Sequence, residues 1–448
     1  MSNREVAVKL RGPGEKADLC VASDGSERPM FNEHVMEDIC EKENLLAALK
    51  RVKRNKGSAG VDGMSVEELP VHLKQNWPVI KALLLSGEYV PQAVRRVDIP
   101  KPGKPKEKRK LGIPSVIDRF IQQAILQVLQ RRWDSTFSEN SYGFRPGRSA
   151  HQAIAKAQEY VCAGNEIVVD IDLAAFFDRV NHDRLMSRLA KDIEDKRLLR
   201  LIRRYLQAGI LENGLITVPT RGSPQGGPLS PFLSNVVLDE WDKELEARGH
   251  CFVRYGDDSQ LFVKSHRAGE RVMASATRFI TERLKLRVNE SKSAVDVPSN
   301  RQFLGFTLTA GRHKHRRKIA PKSLLRFKAK VRRLTNRHWG ISMDERIDRL
   351  SKYLRGWRSY FGFAQATTVL RDLDSWVRRR LRCAQWSQWK TYNRRKAELH
   401  RLGVPYRLAQ LTAWSAKGAW TVCHSPAVQL ALPSRYFDDA GLPKLYAG

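Results

Sequence analysis

Between Phe252 and Val263 the chain reads Phe-Val-Arg-Tyr-Gly-Asp-Asp-Ser-Gln-Leu-Phe-Val, two short strand-forming runs on either side of a Gly-Asp-Asp. Such a pattern folds as a hairpin whose tight turn needs a glycine and presents polar side chains. Two neighbouring carboxylates beside buried strands repel each other and lose hydration, so they call for cations. A divalent metal is the natural candidate. Standing alone, the same tripeptide would equally suit a solvated turn of an ordinary hairpin.

It does not stand alone. Upstream, Ile167-Val168-Val169-Asp170-Ile171-Asp172-Leu173-Ala174-Ala175-Phe176-Phe177-Asp178 is a β-branched strand running into a loop that carries acids. Three carboxylates delivered by two strands are what two-metal nucleotidyl transfer needs. One ion activates a 3′-hydroxyl and the other steadies a triphosphate, about 3.5–4 Å away.

Further blocks follow in order along the chain: Ile99-Pro100-Lys101-Pro102, Arg109-Lys110-Leu111-Gly112-Ile113-Pro114, Asp118-Arg119-Phe120-Ile121-Gln122, Tyr142-Gly143-Phe144-Arg145-Pro146, Gly222-Ser223-Pro224-Gln225-Gly226, Asn289-Glu290-Ser291-Lys292 and Phe303-Leu304-Gly305-Phe306. With the two acidic strands, these blocks make the chain resemble the reverse transcriptases encoded by group II introns. One departure lies at the centre, where Gly256 replaces the family's usual alanine; Tyr-Gly-Asp-Asp also occurs in RNA-dependent RNA polymerases.

The resemblance implies an α+β right-hand polymerase, with fingers and a palm of antiparallel sheet plus helices, followed by an α-helical thumb that doubles as maturase domain. The corresponding divisions are a flexible tail at 1–30, fingers at 31–165, palm at 166–313 (the polymerase core roughly 85–310), an RNA-binding thumb at 314–392, and a small basic extension at 393–448.

It also implies a site. Asp172, the carbonyl of Leu173, Asp257 and Asp258 would hold two Mg²⁺ ions, for which Mn²⁺ could substitute. Asp170, on the same strand face, is the alternative ligand. Lys101 and Arg109 would close over the incoming triphosphate, Arg109 through its fork and Lys101 as a point charge. Ser223, Pro224, Gln225 and Gly226 would lie against the nucleotide. Phe177 would sit under the incoming sugar and exclude a 2′-hydroxyl, which favours DNA as product. Lys292 would stand near the leaving pyrophosphate as general acid. Arg119, Arg145, Arg148 and Tyr255 would touch template or primer, and Leu304 and Gly305 would form the primer grip. Asp183 reads as a helix N-cap and His182 as structural.

The net charge of +32 over 448 residues favours a polyanionic partner. No apolar run approaches the roughly 20 residues of a membrane span, and the amino terminus lacks an apolar export core. Both features fit a cytoplasmic, nucleic-acid-associated protein. Six cysteines form no close pair along the sequence, and no paired-cysteine nuclease of the His-Asn-His type is visible.

From Lys314 onward cations dominate. Apolar stripes predict three helices, through Leu324–Leu334, Ile347–Trp357 and Leu370–Leu381. Leu354-Arg355-Gly356-Trp357-Arg358-Ser359-Tyr360-Phe361 resembles the maturase-specific core, so Arg355 and Arg358 are expected on RNA. Trp386, Trp389 and Tyr392 fit helix packing better than base stacking. The implied partners are an RNA template, a DNA primer, dNTPs and structured intron RNA, with no membrane and no evident protein partner. Two other readings stay open: a host-adapted relative working in DNA repair or phage defence, and a non-catalytic RNA-binding splicing factor.

Overall fold

The computed structural model describes residues 31–101, 104–212, 215–217, 221–222, 226–309 and 315–446. At its centre lies a four-stranded antiparallel sheet in the order Cys251–Tyr255, Asp258–Val263, Ile167–Asp172, Ala294–Asp296. The two inner strands bury every residue but their ends, as strands covered on both faces do.

The period-2 alternation of a strand sorts these side chains into two cores. Val169, Ile171, Phe252 and Leu261 join Leu233, Trp241 and Ile280, from helices Ser230–Ala247 and His266–Glu282. Val168, Val253 and Phe262 join helix Ala150–Cys162 on the other side, in the same core as Phe306, Phe327 and Trp357. That helix starts on a reciprocal capping box between Ser149 and Gln152.

The expected finger hairpin is formed by Val94–Lys101 and Lys104–Ile113, extended into a sheet by Ile210–Glu212 and Leu215–Thr217. Helix Val116–Trp133 follows it and is capped by Ser115, which accepts from the Asp118 nitrogen. The amino-terminal tail at 1–30 lies outside the described residues.

The three helices expected after Lys314 are Pro321–Leu334, Met343–Phe361 and Thr367–Gln388. Phe327 and Trp357 join the first two, with ring centroids 4.3 Å apart. Trp386 and Trp389 are buried between helices. Shorter helices from Tyr392 to Asp439 bring Leu399, Val428 and Phe437 into the same core. Among the described residues no helix is long and apolar enough to cross a membrane.

Candidate active site

The hairpin register pairs Tyr255 with Asp258 and leaves Gly256 and Asp257 as its turn. Gly256 has φ +67°, in the left-handed region glycine enters freely. On the neighbouring strand Asp172 lies directly opposite Asp258. The last residue of one strand and the second acid of the turn are thus cross-strand neighbours, with Asp257 adjoining.

Burial, together with the Asp170, Asp257 and Asp172 carboxylates, pushes the Asp258 carboxyl up to about 8, while Lys292 pulls it down. The cluster therefore holds more negative charge than the cations around it cancel, and it favours a proton or a bound cation. This donor set fits a divalent metal. No group of three or more His, Cys, Asp or Glu among the described residues is arranged to hold a metal ion, and Asp172 is engaged by other groups. Lys292 Nζ sits 2.9 and 3.2 Å from its two oxygens, and Asn289 Nδ2 donates to Oδ2 at 2.9 Å. The Asn289 nitrogen donates to the Asp172 carbonyl at 2.8 Å, and the Asp172 nitrogen donates to Ser293 Oγ at 3.0 Å. Lys292 thus rests on Asp172.

Asp170, the alternative ligand, is already matched. Arg301 donates to its Oδ2 from Nε and Nη2, at 2.9 and 2.6 Å. Asp172 lies across from Asp258 in the sheet, whereas Asp170 lies across from Gln260.

A residue that sequence reasoning missed stands three positions before Asp257. Arg254 is wholly buried and bonds both oxygens of Asp242, which is also wholly buried. Its remaining donors reach Asn235 Oδ1 at 2.9 Å, Ser141 Oγ at 2.7 Å and the Gly256 carbonyl at 3.0 Å. The turn is thus tied to a buried ion pair. The available signal was a lone arginine inside an apolar strand, where a charge is not buried without a partner; no spacing pointed to Asp242.

Several expected contacts fall out differently. Arg145, expected on template phosphate, turns inward to Asp134 and to the Ser138 and Ser141 carbonyls, and is buried. Its guanidinium closes the loop and is not offered to nucleic acid. Arg148 pairs with Glu139 and lies over the Tyr142 ring. Arg119 is half-buried beneath Gly57, where a Cβ would meet its Nη1 at 2.1 Å, and its Nε and Nη2 have no hydrogen-bond partner. The N-cap of helix His182–Asp192 is Asn181, not Asp183, which pairs with Arg203. His182 is buried and bonds the Gly222 carbonyl.

Phe177 is partly buried and meets Phe176 edge-on at 5.3 Å. A Cβ on Gly222 would touch the Phe177 carbonyl at 2.9 Å, and one on Gly226 would touch the Gly112 carbonyl at 2.2 Å. The flanks of that loop therefore lie against the short helix Phe176–Arg179, just after the acidic strand, and against the finger hairpin. Ser223, Pro224 and Gln225 lie outside the described residues, as do the side chains of Lys101 and Arg109. Leu173 pairs with Val288 in an isolated bridge.

Leu304 and Gly305 form a tight turn, with φ +50° and +85°, closed by paired bonds between Phe303 and Phe306. The thumb holds it. Tyr360 Oη donates to the Leu304 carbonyl at 2.8 Å, and Ser323 Oγ donates to the Gly305 carbonyl at 3.1 Å. Arg355 is exposed and Arg358 half-buried on helix Met343–Phe361.

A palm sheet with cross-strand acids at a hairpin turn, basic fingers and a helical thumb define a template-directed nucleotidyltransferase. Residues 99–308 match the family model for reverse transcriptase (RNA-dependent DNA polymerase), and residues 324–403 match the group II intron maturase-specific domain. The chain is 32% identical over 318 residues to Protein YkfC of Escherichia coli K12, covering 62% of this chain and 83% of that one. It is 39% identical over 160 residues to the group II intron-encoded protein LtrA of Lactococcus lactis, covering 36% of this chain and 26% of LtrA. A solved Cas6-RT-Cas1–Cas2 complex aligns with 55% of this chain and 42% of its own at 25% identity, with a TM-score of 0.36, too low to carry further argument. The chain belongs to the group II intron-encoded reverse transcriptase and maturase family. It is an RNA-directed DNA polymerase of the divalent-metal-dependent type, it binds nucleic acid, and it combines reverse transcription with the maturase role of its family.

Proposed function

We propose that the protein extends a DNA primer along an RNA template with dNTPs, using Mg²⁺, while its carboxy-terminal helices hold a structured intron RNA for splicing and retrotransposition. The observation that carries this reading is the pairing of Asp172 with Asp258 beside Asp257, in a cluster short of positive charge. Two Mg²⁺ ions held by Asp172, the Leu173 carbonyl, Asp257 and Asp258 would supply Lewis-acid activation of the 3′-hydroxyl and neutralise the triphosphate.

The chain's own residues do the rest. Arg254 fixes the turn through the Gly256 carbonyl, so the acids are aligned before substrate arrives. Lys292, tethered on Asp172, would supply a proton to the departing pyrophosphate. Phe177 closes the space a 2′-hydroxyl would need. Lys101, Arg109 and the Ser223–Gly226 loop take the nucleotide. Tyr255, Leu304 and Gly305 contact template or primer, and Arg355 and Arg358 contact RNA.

The test is primer extension on RNA and DNA templates, with dNTPs or rNTPs, beside an Asp257→Ala, Asp258→Ala variant. Extension of RNA-templated primers with dNTPs, lost in the variant while its RNA affinity persists, is expected. Extension that survives in the variant removes the site assignment.

A further inference from the structure

The loop that follows Ser141 packs against the catalytic turn and is fixed from several sides. The Tyr142 nitrogen donates to the Arg254 carbonyl at 2.9 Å, Asn235 Nδ2 to the Gly143 carbonyl at 2.8 Å, and Gln130 Nε2 to the Phe144 carbonyl at 3.0 Å. Gly143 comes so near that a Cβ there would lie 2.3 Å from the Gly256 nitrogen. Held this way, Phe144 adopts φ +60°, a conformation that bulky side chains avoid.

The ring gains little burial in return, being 48% exposed. Nor is it loose. A Cβ on Gly256 would meet Phe144 Cε2 at 2.9 Å, and the Tyr255 ring lies 5.9 Å away, tilted by 48°. The fold thus keeps a disfavoured backbone and displays an apolar ring to solvent beside Asp257. Core packing would bury such a ring, and a solvated loop would place a polar residue there. Strain maintained next to reacting groups marks a contact made with something else.

We propose that Phe144, with Tyr255, forms an apolar wall on which the end base pair of the primer–template duplex rests. This rests on the polymerase reading above and adds a primer–template contact to it. Every base and sugar presents an apolar face, so the wall serves any sequence, as a polymerase requires. It also gives Gly256 a reason: the ring occupies the space a methyl group would take.

Asn and Gly tolerate the left-handed region, so Phe144→Asn and Phe144→Gly relieve the backbone while removing the ring. Steady-state extension and thermal melting are measured for both, beside Phe144→Trp. The Asn and Gly variants should melt no lower than wild type, yet their KM for primer–template should rise about tenfold, the loss of one stacking contact. KM for dNTP should hold, and Trp should restore the primer–template KM. A lowered melting point with unchanged primer–template KM makes the ring mere packing, and a rise in KM for dNTP alone moves it to the nucleotide pocket; either overturns the inference. An active wild type whose Asn variant matches it in every constant overturns the inference alone. A wild type that extends no primer overturns the polymerase reading, and this inference with it.

Discussion

Arg254 and Asp258 stand four residues apart on one hairpin, and the fold treats their charges in opposite ways. Around Arg254 the protein supplies everything: both oxygens of Asp242, Asn235, Ser141 and the Gly256 carbonyl. Around Asp258 it gathers Asp170, Asp257 and Asp172, and against these carboxylates it sets Arg301, on Asp170, and Lys292, on Asp172. A charge the protein completes by itself is there to position something. A charge left short is there to receive something. The difference separates framework from working group without reference to any relative.

The largest effect that could break this contrast lies at the acids. Asp257→Ala, Asp258→Ala should lower primer extension at least about a thousandfold, because several kcal/mol of transition-state stabilisation depend on ligands held there. Its urea midpoint should not fall, since the variant removes repulsion. A large loss of stability would make the acids framework after all.

The opposite result is expected at Arg254. Arg254→Ala leaves Asp242 buried without its partner, which costs about 3–5 kcal/mol. Equilibrium urea unfolding reads this directly. The pair variant Arg254→Met, Asp242→Leu sharpens the point: it should recover much of the stability while extension stays impaired, because the Gly256 carbonyl has still lost its donor. Full recovery of both would reduce Arg254 to packing.

The pH dependence comes next in size. The Asp258 carboxyl is raised from its ordinary 3.8 to about 8, so the folded protein prefers the protonated form. Its contribution to stability is present in full below about pH 4 and is lost as pH rises towards 8. Asp258→Asn stays neutral throughout. It should melt above wild type by a margin that opens between pH 4 and pH 8, and added Mg²⁺ should narrow the margin by binding the wild-type cluster. An equal margin at pH 5 and pH 8 contradicts the crowding of carboxylates.

This half of the contrast was legible in the sequence and the other half was not, for a physical reason. The acids sit on strands whose period-2 pattern is local, so Asp172 and the Asp257-Asp258 turn could be placed from short windows. Asp170 was legible as a rival, but its pairing with Arg301 was not, because Arg301 lies 131 positions away along the chain. Arg145 looks from sequence like any cation in a basic protein, and Arg254, though conspicuous in an apolar strand, gives no hint of its partner. Only packing shows that both face inward, and that the template contact expected of Arg145 is closed off by Asp134. Helix stripes in the thumb were readable because burial repeats every three to four residues. The cap at Asn181 was misplaced by two residues onto Asp183, the usual scale of error at a helix end.

The smallest expected effect tests whether the contrast reaches beyond the hairpin. The turn at Leu304 and Gly305 carries no charge, and a single neutral bond from Tyr360 joins the Leu304 carbonyl to the thumb. Tyr360→Phe removes that donor and should cost about 1 kcal/mol, as losing one hydrogen bond to a partly buried acceptor does. Leu304, held at φ +50°, then loses a restraint on an unfavourable backbone. Products on a long template should therefore shorten while addition of a single nucleotide keeps its rate, because the grip and not the acids has loosened. A Tyr360→Phe variant that slows single additions as severely as Arg254→Ala would mean that the neutral tie and the buried ion pair position the same group, and the distinction drawn at the hairpin would then describe the strength of an interaction and not its purpose.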